Sequence, residues 1–215
     1  MQNNTKILRE GICGAGSLGG FFTMPGRDAV YGISNNHVLA NLNNCAVGDA
    51  ILRADTHEQI ATLSHWVPLS VMNANHTINL VDMALCKLTP GIQTTWQIDD
   101  STITKPAGYI EPRQFGVVYM KEENGGVRRG KIMKSFINHV MQFDLCGKPY
   151  LFTKLVEIAP TDGQPFSQPG NSGSIILSSS HLIVGLLVGA NSDATRSYAV
   201  PFVDGILKFA PLEIL

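Results

Sequence analysis

Short runs rich in β-branched and aromatic residues recur along the chain, each cut off within a few positions by Gly, Asn, Asp or Pro. This punctuation limits the fold more than any other feature, because a helix needs a sustained 3.6-residue periodicity that such short runs cannot carry. "LGGFFTM" and "AVYGIS" flank the turn "PGRD", and "DAILRA", "QIATLSHWV" and "NLVDMALCKL" follow. "FGVVYM", "GKIMKSFI", "YLFTKLVEIA", "GSIILS", "HLIVGLLVGA" and "SYAVPF" fill the second half. The series predicts an all-β protein, sandwich or barrel. The exception is the C-terminal stretch "FVDGILKFAPLEIL", where Phe202, Val203, Ile206, Leu207 and Phe209 fit one amphipathic helix over 203–215, limited by Pro211. The polar segment "IDDSTITKPAG" divides the strands into two sets. The organisation expected is a β domain over 1–98, a linker over 99–108, a second β domain over 109–202 and the terminal helix.

With 215 residues and 44% apolar content the chain can bury a large core, and 15% charged residues is too few for disorder. Sixteen basic and 17 acidic residues give a net charge of −1 with no basic stripe, so neither nucleic acid nor a charged membrane surface is an expected partner. No apolar run is long enough to span a bilayer, and the start, "MQNNTKILREG", is polar. These features predict a soluble, cytoplasmic protein. Cys13, Cys45, Cys86 and Cys146 form no C-x-x-C pair, which argues against a zinc site or disulfide framework. Their even count leaves one or two bridges open, and Cys86 reads as a buried small hydrophobe. His57, His65, His76, His139 and His181 sit at no metal-ligand spacing. No cofactor or metal is expected.

The chemistry concentrates at "SQPGNSGSIIL". Ser172 lies between Gly170 and Gly173, and a Gly-x-Ser-Gly turn can aim successive backbone N–H groups at one point. The N–H groups of Gly170 and Ser172 could then hold an oxyanion. A serine hydroxyl needs a base, and the base needs an orienting partner. His37 in "GISNNHVLAN" and Asp82 in "NLVDMALCKL" offer those roles. Asp82 interrupts an apolar strand, where a bare carboxylate is costly to bury and must find a donor. Alone it could equally be a strand-end residue facing water, and His37 alone could be structural. The loop is not the G-x-S-x-G elbow of α/β-hydrolases, since position 174 is Ser.

The order His, Asp, Ser in "SNNHVLA", "DMALCKL" and "PGNSGS" resembles the catalytic blocks of the chymotrypsin-like (trypsin-like) serine peptidases. "KEENGGVRRGKI" and "IVGLLVGANSDATRSYAVPF" resemble further segments of the bacterial and HtrA-like members. The resemblance runs from about Gly14 to the end. It implies two six-stranded antiparallel barrels with a cleft between them and a C-terminal helix. It also implies that His37 is the general base, Asp82 its orienter, Ser172 the nucleophile, and Gly170 and Ser172 the oxyanion hole of an endopeptidase. Asn171 stands where digestive members carry an Asp that pairs with a freed N-terminus, so no zymogen cleavage is expected. Val38 replaces the cysteine that follows the histidine in secreted members.

By the same resemblance, Phe166, Ser167, Leu187, Val188 and Gly189 would form the substrate-binding wall, with the strand after the serine pairing with an extended peptide. Arg196, two residues before Tyr198, would share its strand face and could pair with an acidic side chain before the cut. The expected partner is a protein or peptide substrate, with control by a regulatory protein partner. Two other readings stay open: a catalytically latent binding module on this fold, and an esterase.

Overall fold

In the computed structural model the described residues are 1–9, 15–75, 77–100, 102–143, 147–209 and 211–215. Gly14, Cys13, His76 and Cys146 lie outside them. The elements run β1 (Thr5–Arg9), β2 (Gly16–Leu18), β3 (Gly20–Met24), β4 (Arg27–Ser34), α1 (Asn36–Leu39), β5 (Ala50–Arg53), β6 (Gln59–Trp66), β7 (Ile78–Asn79) and β8 (Ala84–Leu88). They continue as β9 (Val117–Lys121), β10 (Val127–Gln142), β11 (Pro149–Pro160), β12 (Ile175–Ser178), β13 (Ile183–Ala190), β14 (Ser197–Pro201), α2 (Phe202–Ile206) and β15 (Glu213–Ile214).

The strands close into two antiparallel rings of six. In the first, β1 pairs with β2 and β5, β5 with β6, β6 with β8, β8 with β4, and β4 with β3. β2 and β3 are one strand bent at Gly19, so the ring is complete. In the second, the order β10-β9-β12-β13-β14-β11 closes through the long β10–β11 hairpin. Two short strands extend the rings: β15 adds to β3, and β7, from the first half of the chain, pairs parallel with β11. Among its described residues, the connection over 89–116 carries only isolated bridges, at Thr95 and Tyr109.

Alternation along each strand builds three apolar layers, because neighbouring side chains in a strand face opposite ways. Phe21, Ala84, Cys86 and Leu88 point into the first barrel. Val184, Leu187, Ile176 and Ile158 fill the second. Their sequence neighbours Phe22, Leu85, Leu186 and Ile175 meet in a third cluster between the barrels. Each fully buried Phe or Leu there contributes about 1.5–3 kcal/mol. An interface this apolar holds the barrels as one body and so fixes the cleft between them.

The terminal helix is shorter than the pattern predicts. α2 covers only Phe202–Ile206, and the chain then returns as β15. Pro211 cannot supply a helical N–H. Phe209, Leu212 and Ile214 instead pack against the inter-barrel cluster while the strand takes the open edge of β3.

Candidate active site

His37 sits in the single turn of α1, directly after β4. Its position is fixed from both sides. The Asn35 side chain donates to the Asp82 carbonyl (2.8 Å), and the Asn36 side chain donates to the Val67 carbonyl and the Asn43 side chain (2.7 Å each). Asp82 does not interrupt a strand: β8 begins at Ala84, and Asp82 lies on its approach, fully buried. Its two carboxylate oxygens are both used on His37. Oδ2 meets the ring Nδ1 at 2.5 Å and Oδ1 accepts the backbone N–H at 3.2 Å. The carboxylate that local sequence left ambiguous is therefore satisfied by one partner, which holds the imidazole with Nδ1 protonated and Nε2 free to accept. The ring of Phe143 stacks on His37 at 4.4 Å between centroids.

The serine loop is two consecutive β-turns. Asn171 N–H bonds back to the Gln168 carbonyl (3.0 Å), and Ser174 N–H to the Asn171 carbonyl (3.0 Å). Gly170 and Gly173 hold the third position of each at φ +86° and +89°. A positive φ at that position defines a type II turn and selects glycine, and Pro169 sets the second position of the first turn. The buried Asn171 side chain accepts from the Gln168 N–H (2.9 Å). Among the described residues, no acceptor takes the N–H of Gly170 or of Ser172.

The first barrel grips this loop. Ser17 N–H donates to the Ser172 carbonyl (2.7 Å), and the Ser17 hydroxyl to the Gly170 carbonyl (2.9 Å). Lys6 on β1 donates to the same Gly170 carbonyl (2.6 Å) and to the Ser17 hydroxyl (2.9 Å). Burial pushes the Lys6 ammonium below its usual pKa range, opposed by the charges of Glu122 and Glu123.

His37, Gly170 and Ser172 face one cleft of about 750 Å³, which also takes Ser167, Val188, Gly189, Met141 and Phe143 as lining. The Ser172 hydroxyl donates to the Val188 carbonyl at 2.9 Å. That carbonyl lies at the bulge between Leu187 and Gly189 where β13 leaves register with β14. Ser167 and Ser197, both buried, share a hydroxyl bond of 2.7 Å.

Two of the expected wall residues sit elsewhere. Phe166 is fully buried in the core of the second barrel, since it faces away from its neighbour Ser167. Arg196 precedes β14 and closes the 191–196 turn. Its guanidinium meets the Glu157 carboxylate at 3.8 Å and the Thr195 carbonyl at 2.8 Å, and it does not line the cleft. Arg196 does not share the face of Tyr198, because it lies before the strand. Leu187 lines the cleft, but its backbone is committed to Gly173 and Ser174. Lys6, Ser17, Met141 and Phe143 were not found from sequence, because each reaches the site through contacts distant along the chain.

The sequence matches no family model and no curated protein. Solved structures do match. Thermobifida fusca protease A aligns with a TM-score of 0.68 at 13% identity, covering 100% of this chain and 99% of that one. A glutamic-acid-specific serine protease described as using a histidine triad in substrate binding aligns with the same score and identity, covering 100% of both chains. Cellulomonas bogoriensis chymotrypsin aligns at 0.64 and 14% identity, covering 100% and 99%. This chain has the chymotrypsin-like serine protease fold. In the chymotrypsin-like fold it keeps both barrels and the small C-terminal helix, and its structural neighbours are serine proteases of bacterial type. Among the described residues, no helix is long and apolar enough to cross a membrane.

Proposed function

We propose that this chain is a serine endopeptidase working through His37, Asp82 and Ser172. The observation that carries the reading is the pair of bonds from a fully buried Asp82 to His37 in the cleft that also holds Ser172. In this mechanism the Ser172 hydroxyl leaves the Val188 carbonyl and passes its proton to His37 Nε2 as Oγ attacks the peptide carbonyl. The carbonyl oxygen, now an anion, takes the N–H groups of Gly170 and Ser172. The imidazolium that forms is stabilised by Asp82 and gives its proton to the departing amine. Water repeats the sequence on the acyl-enzyme, releasing the acid and restoring Ser172.

The substrate is an extended peptide laid along β13, where the Val188 carbonyl is off the sheet ladder and takes the Ser172 hydroxyl, which a peptide N–H would displace. Taking that carbonyl would also free the Ser172 hydroxyl. Ser167, Val188, Gly189 and Met141 make an uncharged wall, which favours a neutral residue before the cut. Among the described residues His37 is the one histidine lining the cleft, so recognition of glutamate by a histidine triad, as described for one structural neighbour, has no support here.

No N-terminal cleavage belongs to this reading, because the Asn171 side chain is satisfied within its own loop. Control by a protein partner is also part of the proposal, and rapid cleavage of general substrates by the pure chain would count against it. The proposed reducing, cytoplasmic location agrees with free thiols at Cys45 and Cys86, the two cysteines among the described residues. The test is digestion of a denatured protein mixture, with new chain ends mapped for wild type and Ser172→Ala. New ends from wild type alone support the reading. Turnover of activated esters with no peptide cleavage would favour an esterase instead.

A further inference from the structure

The serine loop belongs to the second barrel, yet its tightest polar contact comes from the first. Lys6 and Gly170 are 164 residues apart in sequence and meet at 2.6 Å. The contact falls at the carbonyl of the turn's third residue. A type II turn differs from type I mainly by a flip of its central peptide, here the one joining Pro169 to Gly170. That flip decides which way the Gly170 N–H points. Gly170 at φ +86° gives the turn 168–171 its type II form, and the Gly170 carbonyl, which lies in the next peptide and keeps its place in either turn type, anchors the glycine itself. Ser17 and Lys6 both hold the carbonyl, and Lys6 also holds Ser17, so the three form one closed cluster.

We propose that Lys6 is a positioning residue for the oxyanion hole: with Ser17, which also holds the Ser172 carbonyl, its ammonium pins the Gly170–Asn171 peptide to the first barrel and so sets where the Gly170 and Ser172 N–H groups stand relative to His37. The proposal rests on the serine-peptidase reading and adds a device to it. Lys6 supplies from β1 a charged donor to a loop of the other barrel.

A partly buried ammonium is a costly choice for a structural role. In the folded chain Lys6 holds its proton more weakly than in the unfolded chain. Between its folded pKa and 10.5 the unfolded chain therefore binds more protons, and this group's contribution to stability rises with pH. Function runs the other way, since a neutral amine is a weaker donor to the carbonyl. Activity should fall on the alkaline side as Lys6 loses its proton. The charged groups around it are Glu122 and Glu123 after β9, with Arg128 on β10 paired to Glu122 (3.1 Å) and Arg53 on β5 beside Glu123 (3.7 Å). Glu122 also accepts from the Gln168 side chain (3.0 Å), so the same cluster supports the entry to the turn.

The test is the rate of labelling by a fluorophosphonate probe, followed by intact mass across pH for wild type, Lys6→Met and Lys6→Arg, with thermal melts in parallel. The expected result is a melt for Lys6→Met no lower than wild type, with labelling slowed at least ~10-fold toward the ~10²–10³ of losing an oxyanion donor. Lys6→Arg, whose guanidinium does not titrate here, should keep labelling at alkaline pH where wild type loses it. If wild type labels and Lys6→Met labels equally fast with the same pH profile, the Lys6 role is overturned and the peptidase reading stands. If Lys6→Met does not fold, the comparison of wild type with Lys6→Arg decides: identical alkaline profiles overturn the proposal. A wild type that folds but never labels overturns both.

Discussion

Asp82→Asn is the sharpest perturbation of the site, because it changes one atom and leaves the volume in place. Asp82 offers acceptors to two donors on the same residue, the backbone N–H and the ring Nδ1–H of His37. An asparagine has one acceptor and one NH2 group. If its oxygen keeps the backbone N–H, its NH2 faces Nδ1 and forces that nitrogen to accept. The ring proton then moves to Nε2, and the imidazole can no longer take a proton from Ser172. The loss should be about 10⁴-fold in turnover, or ~5.5 kcal/mol in the barrier. Stability should change far less. One charge-assisted hydrogen bond is worth ~1.5–3 kcal/mol, and at this chain length each kcal/mol moves the melting point by ~2–4 °C. The assay pairs ester or peptide turnover with a melting curve. A folded variant within about tenfold of wild-type turnover would refute the assignment of Asp82 as the group that sets the tautomer.

Other outcomes follow from the same geometry. Gly173→Ala should lose several degrees of melting temperature and most probe labelling. A side chain there pays about 1–2 kcal/mol for φ +89° and runs into the Ser17 carbonyl and the Ser34 hydroxyl, which adds ~1–3 kcal/mol. Arg196→Ala should leave the ratio of cleavage after Glu to cleavage after neutral residues unchanged, measured on peptides differing only at that position, because its guanidinium is engaged with Glu157 and Thr195. A collapse of cleavage after Glu alone would return Arg196 to the specificity pocket.

The parts of the fold that local pattern can encode were legible. Strands such as β4, β11, β13 and β14 follow their apolar runs closely, and the two glycines around Ser172 announce a loop that needs positive φ. What was hidden depends on distance along the chain. β1 read as a polar terminus because Thr5, Lys6 and Arg9 mask Ile7, and the partner that gives Lys6 its meaning is the Gly170 carbonyl on the other barrel. Phe166 was misplaced because nearness to the serine in sequence says nothing about which face of an extended segment a side chain takes. Arg196 failed for a related reason, since the period-2 rule holds only inside a strand and β14 starts at Ser197. The end of the chain carried a helical pattern, but Pro211 and the free edge of β3 turned it into a short helix followed by a strand.

The account rests on Ser172 being a nucleophile activated by His37. Intact mass after fluorophosphonate treatment of wild type and His37→Ala tests this most directly. The account predicts one adduct on wild type, mapped to Ser172 and lost in the variant. A folded wild type with no adduct, or an adduct on Ser172 that forms equally fast without His37, would contradict it.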